Sequence, residues 1–273
     1  MFLLAAVAAP LVAQAPQADY AAAMHAAHGK ETPVATPAAR IAPRAAVKGG
    51  EVMYGSIGSK MLHGYLASPT TAVKNGPAII VVHEWWGLND NIKAVVDRYA
   101  GEGYTVLAVD MFGRVATTPD TAMMLYQAAM KDVAAGEQNV AQAIAYLKKQ
   151  GAKSIGVVGY CFGGHWSLRT GLVGGNDVNA VVIYYGAPIT DRKQLARLKA
   201  PVLGLYGALD TGIPVDSVRA MERNIKGSGR NVDVTVYPNA NHAFANASGQ
   251  AYNAAAANDA WQKSLAFFRK NLK

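Results

Sequence analysis

One short stretch constrains this chain more than any other: Gly159-Tyr160-Cys161-Phe162-Gly163-Gly164, which carries its only cysteine. Residues 154–158 before it read as a short buried strand, and residues 165–169 after it read as the start of a helix. A G-x-nucleophile-x-G turn between strand and helix holds the central side chain strained and exposed above a parallel sheet. Glycines flank it because a bulkier residue would clash where strand and helix nearly touch. Cys161 thus stands in the place of a nucleophile, and the chemistry expected is that of a thiol hydrolase. The competing role for a lone cysteine is a small, inert buried hydrophobe. The flanking glycines and the strand before them argue against it. Neither phosphate-cradling pattern, G-x-x-x-x-G-K-S/T or G-x-G-x-x-G, is present.

Such an elbow is followed along the chain by an acid and then a histidine. Residues 201–206 form an apolar strand leading into Gly207-Ala208-Leu209-Asp210, and residues 232–237 alternate like a strand before Pro238-Asn239-Ala240-Asn241-His242. His242 would take the thiol proton, and Asp210 would fix the imidazole tautomer and stabilise the imidazolium. Asp216 is a rival acid, but it follows Pro214, where a helix begins. Upstream, five apolar residues at 78–82 run into His83-Glu84-Trp85-Trp86-Gly87. The loop after this strand supplies one oxyanion-hole amide in hydrolases of this architecture, so the backbone N–H groups of Trp85 and Phe162 are the candidates. Glu84 is a candidate functional residue, because a carboxylate at the end of a core strand is costly to bury without a partner. One of the two tryptophans is expected to be a packing residue, with Trp86 a candidate substrate contact.

Taken together, HEWWG with Glu84, GYCFGG with Cys161, GALD with Asp210 and NHAF with His242 resemble the dienelactone hydrolase family, the carboxymethylenebutenolidase-like members of the α/β-hydrolase superfamily. The resemblance spans about residues 50–273. It implies an α/β-hydrolase fold and a Cys-His-Asp triad of Cys161, His242 and Asp210. It also implies that Glu84 helps to generate the thiolate when substrate binds. The implied reaction is hydrolysis of a lactone or ester through an acyl-thioenzyme, with no metal and no organic cofactor. The dienelactone enzymes hold their substrate's free carboxylate with arginines, one of them four residues after the catalytic histidine. Here that position is Asn246, which cannot offer a charged fork, and no second arginine is visible in residues 118–131. A neutral or differently anchored ester is at least as good a candidate as a dienelactone. Arg114, in a loop on the catalytic side of the sheet, is a further substrate-binding candidate, with a surface ion pair as the alternative.

Strands alternating with helices through the rest of the chain imply an α/β fold, with a mostly parallel central sheet and helices on both faces. It opens with an antiparallel hairpin at 51–57 and 60–68, and helices are expected at 91–101, 121–150, 215–226 and 253–271. Residues 48–273 form the hydrolase domain, and about 225 residues suffice for one substantial core. Residues 16–47, rich in Ala, Pro and Thr, read as a flexible leader, in which His25 and His28, at i and i+3 without carboxylate or cysteine company, read as incidental rather than as a metal site. Residues 1–15 read as a signal peptide, with an apolar run at 2–9, so a periplasmic or secreted protein is expected and a cytoplasmic one is the alternative. The formal charge of +8 is dispersed, which argues against nucleic-acid binding. No stable membrane insertion is expected, because the apolar run is too short to span a bilayer. A monomer acting on a small-molecule ester or lactone is the expectation. Two other readings share these residues: a general carboxylesterase or lactonase of neutral esters, and a non-catalytic, thiol-sensing protein on the same scaffold.

Overall fold

The computed structural model describes residues 17–29, 31, 33–71 and 75–273. Residues 1–15, read as a signal peptide, lie outside the described residues. At the centre is one eight-stranded sheet in the order β1-β2-β4-β3-β5-β6-β7-β8. Its first two strands, β1 (Val47–Ile57) and β2 (Lys60–Pro69), form the expected antiparallel hairpin, longer than the sequence suggested. The remaining strands run parallel to one another: β3 (Ala78–Val82), β4 (Thr105–Val109), β5 (Ile155–Tyr160), β6 (Ala180–Tyr184), β7 (Val202–Gly207) and β8 (Val232–Tyr237). Strands β3, β5, β6 and β7 are buried along their whole length, as near-continuous apolar runs covered on both faces must be.

The covering helices follow from strand alternation. On β6, Val181 lies under Gly171 of α5 (Phe162–Gly174), while the Tyr184 hydroxyl on the opposite face pairs at 2.8 Å with Ser264 of α8 (Ala254–Asn271). Helix α2 (Asp90–Gly101) lies against α8, with Tyr99 and Trp261 ring centroids 4.3 Å apart. The single helical stretch expected over 121–150 is two helices, α3 (Pro119–Lys131) and α4 (Val133–Lys149). They break at Asp132, whose carboxylate accepts from Ala135 N at 3.0 Å and caps α4. The short helix α6 (Arg192–Leu195) and α7 (Val215–Gly227) complete the set after β6 and β7.

Where the sequence reading expects a flexible leader, the structure has helix α1 (Gln17–His28) and a 3-10 turn at Pro37–Ala39. Alanine-rich sequence favours a helix once something covers one side of it. Here Tyr20, Met24 and His28, four residues apart, form that buried side. Among the described residues, no helix is long and apolar enough to cross a membrane.

Candidate active site

Strand β5 ends at Tyr160 and α5 begins at Phe162, leaving Cys161 alone at the turn with φ 57° and ψ −117°. A Cβ on Gly159 would lie 1.8 Å from the Gly163 carbonyl oxygen, and one on Gly163 would lie 2.1 Å from that of Val82. Only glycines allow strand and helix to meet this closely, which is how the sequence forces the elbow. Cys161 N donates to Tyr184 O at 3.0 Å, fixing the turn to the next strand. Among the described residues, four non-glycines have positive φ, and three of them, Cys161, Tyr185 and Ala243, stand at this site. Strain of this kind, of order 1–3 kcal/mol per residue, is held only where the surroundings over-determine it.

The backbone N–H groups of Phe162 and Trp85 are directed at the Cys161 sulfur and favour its thiolate. Burial opposes them and dominates, and the Glu84 carboxylate adds to it, so the thiol is held well above its ordinary range. At rest it is a neutral SH.

Asp210 follows β7 and His242 follows β8, as expected from chain order. His242 Nδ1 donates to Asp210 Oδ2 at 2.6 Å. The other carboxylate oxygen accepts from Gly212 N at 2.9 Å and Ile213 N at 3.1 Å, so Asp210 is held by backbone on one side and orients the imidazole with the other. His242 Nε2 is buried and makes no hydrogen bond. Asp216, the rival acid, is exposed in the first turn of α7 and takes no part.

Glu84 sits at the end of β3 beside the thiol. Its Oε2 accepts from Asn246 Nδ2 at 2.8 Å, and Oε1 faces the Tyr185 hydroxyl at 3.4 Å. Burial pushes this carboxyl up to about 7, with His28 and His242 pulling it down and Glu31 pushing it up. His83, buried and held neutral by that burial, braces the same strand end. It accepts from Met111 N at Nε2, 3.0 Å, which leaves Nδ1–H to donate to the Glu84 carbonyl at 2.6 Å.

Of the residues singled out for substrate contact, Trp86 lines the space beside Cys161 and packs on Trp85 at 4.9 Å between centroids. Asn246 lines it too, through its bond to Glu84. Arg114 is exposed, and its backbone carbonyl lies under Gly87. It is not among the residues around the thiol, because its loop turns the side chain to solvent. Beyond Glu84 lies an open aromatic cavity lined by Tyr160, Tyr184, Tyr185, Trp261 and Arg98.

Sequence reasoning missed three residues that reach this site from the N-terminal segment. The Tyr20 ring stands 6.4 Å from that of His242, and the His28 ring stands 5.3 Å from Trp85 and 5.6 Å from His242. His28 Nδ1 pairs with Glu31 Oε2 at 2.7 Å. His28 is therefore not incidental: it has a carboxylate partner and lies over the thiol. The signal that could have found it is the spacing of Tyr20, Met24 and His28 along one helix face. Among the described residues, no group of three or more His, Cys, Asp or Glu side chains is placed to hold a metal ion.

The model of the dienelactone hydrolase family matches residues 62–272, a span that holds Glu84, Cys161, Asp210 and His242. The chain belongs to this family. It is 32% identical over 224 residues to "Protein usf" of Aquifex pyrophilus, covering 77% of this chain and 94% of that protein. It is 31% identical over 262 residues to the "Putative carboxymethylenebutenolidase" of Saccharolobus solfataricus, covering 81% and 98%. Among solved structures, a dienelactone hydrolase-like promiscuous phosphotriesterase, P91, from metagenomic libraries superposes with a TM-score of 0.75, over 84% of this chain and 100% of that one. At 24% identity that likeness concerns the fold. As a dienelactone hydrolase family member, the protein is a hydrolase acting on ester or lactone bonds. Tyr20, His28 and Glu31 lie before the matched span and belong to this chain's own N-terminal segment.

Proposed function

We propose that the protein hydrolyses a neutral ester or lactone with Cys161 as nucleophile, through an acyl-thioenzyme. The observation that carries this reading is the placement of Cys161 at a strained elbow, facing the amides of Phe162 and Trp85, with His242–Asp210 delivered to the same strand edge. A substrate carbonyl oxygen takes the place between those two N–H groups, where charge develops as the carbonyl carbon is attacked. The thiol proton passes to His242 Nε2, and Asp210 stabilises the imidazolium. Glu84 assists this ionisation, as the family resemblance implies, from a carboxyl near 7 that can hold or release a proton at neutral pH. Collapse of the tetrahedral intermediate breaks the C–O bond, His242 protonates the departing alkoxide, and a thioester remains. Water, deprotonated by His242, then releases the acid and restores the thiol.

A neutral substrate is favoured because a free carboxylate would meet Glu84 and Glu31 beside the thiol, while the Arg98 guanidinium of the neighbouring cavity lies over the Trp261 ring at 4.0 Å and is not among the residues around the thiol. The apolar run at residues 2–9 further supports export, and mature protein beginning near residue 16 is the expected finding in material recovered outside the cytoplasm. The deciding experiment is hydrolysis of p-nitrophenyl butyrate by the full chain and by Cys161→Ala. A loss of about a thousandfold or more in kcat is expected, with an acyl adduct on Cys161 seen by intact mass in the unaltered protein. Equal rates in the two would remove Cys161 from the chemistry.

A further inference from the structure

Among the described residues, six buried side-chain polar atoms have no hydrogen-bond partner, and four of them belong to Tyr20, His28, Trp85 and His242, all at this one site. Leaving such an atom unpaired costs about 1–3 kcal/mol, so a cluster of them marks a place where a ligand supplies the missing partners. His242 Nε2 is accounted for by the proton transfers above. The others are not. The space enclosed by Cys161, Glu84, Trp85, Trp86, His28 and Glu31 is too small to hold a water molecule, so no solvent satisfies them in this arrangement.

The chemistry of the orphans is specific. Nδ1 of His28 faces the Glu31 carboxylate at 2.7 Å, and in the imidazole form with that Nδ1–H the Nε2 left over presents a lone pair. Trp85, whose ring lies 5.3 Å away, presents an indole N–H that can only donate. An unpaired acceptor beside an unpaired donor matches a group that does both, and a hydroxyl is the simplest neutral one. Glu31 is itself fixed, accepting from Gln250 N at 3.2 Å through its other oxygen, so the tautomer of His28 is held from outside the site.

Resting on the ester-hydrolase reading above, we propose that the N-terminal segment is part of the substrate site: His28 and Trp85 recognise a hydroxyl on the substrate, and Glu31 positions His28. The preferred ester or lactone is then neutral and hydroxylated near its scissile carbonyl. Because α1 roofs Cys161 closely, the roof also moves aside to admit that substrate.

The test compares p-nitrophenyl 3-hydroxybutyrate with p-nitrophenyl butyrate. The full chain is expected to favour the hydroxylated ester about tenfold in kcat/KM, and His28→Phe, which keeps an aromatic ring against Trp85, is expected to erase that preference. A merely structural His28 would change both esters alike; an unchanged ratio, or no preference in the unaltered chain, overturns the proposal. The roof is tested separately by the rate at which iodoacetamide alkylates Cys161, the only cysteine, followed by intact mass. Tyr20→Ala combined with His28→Ala is expected to speed alkylation about tenfold, and Met24→Asp, which buries a charge on the covered side of α1, is expected to do the same. Unchanged rates in both variants overturn the roof. Turnover undiminished in Cys161→Ala would instead bring down the nucleophile assignment, an outcome the alkylation rates do not depend on.

Discussion

His242 and His28 each give Nδ1 to a buried carboxylate, at 2.6 Å to Asp210 and 2.7 Å to Glu31, and each leaves Nε2 without a partner. Pair by pair they look alike; in what supports them they differ. Asp210 takes two backbone amides of its own loop and rides on β7, while His242 rides on β8, so both inherit the rigidity of the sheet. The His28–Glu31 pair hangs from one helix outside the sheet. It is steadied by Gln250 N, by the Trp85 ring, and by Thr36 N donating to Ser248 Oγ at 2.9 Å. A histidine–carboxylate pair is thus not a catalytic pair by composition. Rigid placement at the strand edge beside Cys161 suits the first to the proposed proton transfer, and placement on a peripheral helix suits the second to the proposed recognition.

The sharpest way to break this contrast is to neutralise each carboxylate in turn. Asp210→Asn is expected to cost about 10³–10⁴ in kcat, since it lets the wrong tautomer of His242 dominate. Glu31→Gln should cost about tenfold or less, mainly in KM, because it loosens a binding group. Steady-state kinetics on one ester decide it, and losses of similar size in kcat would erase the distinction.

Glu84 lies between the two pairs and feels both. Its carboxyl is raised from the ordinary 4.5 to about 7 in the fold, so the folded state favours the protonated form. The associated stability is complete below pH 4.5 and is lost as pH rises through 7, amounting to about 3 kcal/mol at 1.36 kcal/mol per pH unit. Urea unfolding at pH 5 and pH 8 should therefore show a drop in the unaltered protein that is about 2.5 kcal/mol larger than in Glu84→Gln. Matching drops would mean that the carboxylate finds compensation near both histidines.

The smallest effect concerns the roof's tether. Ser248→Ala removes the acceptor for Thr36 N and a hydrogen bond to Asn91 Oδ1, each worth about 1 kcal/mol. Amide exchange in residues 17–36 should quicken about fivefold while the β5 amides keep their protection. Uniform acceleration across both would mean that α1 is as much a part of the cooperative fold as the sheet.

The elbow was legible because its requirement is local: a strand and a helix that nearly touch need glycines at Gly159 and Gly163, and that need is written in adjacent residues. Asp210 and His242 were legible through their order and their position after apolar strands. Asn246 was noticed as a missing arginine, yet its bond to Glu84 could not be foreseen, since 162 residues separate the two. The split at Asp132 was hidden because helix-forming Ala, Met and Lys residues run up to it and Ala, Glu and Gln follow it, and the cap geometry makes the break. Arg114 was placed on the right side of the sheet, but which way a loop side chain turns depends on what packs beneath it.

By itself the sequence determined the parallel sheet, the elbow and the order of Cys161, Asp210 and His242, because periodicity, glycine spacing and chain order act over a few residues at a time. Tertiary structure alone decided that an alanine-rich N-terminal helix lies over the thiol, that His28 has Glu31 for a partner, and that Glu84 is held by Asn246. Alanines carry almost no signal of where they pack, and a weakly amphipathic helix finds its place only when a finished surface offers one. The roof of this site is therefore a property of the assembled fold, and the turn that holds Cys161 beneath it a property of six consecutive residues.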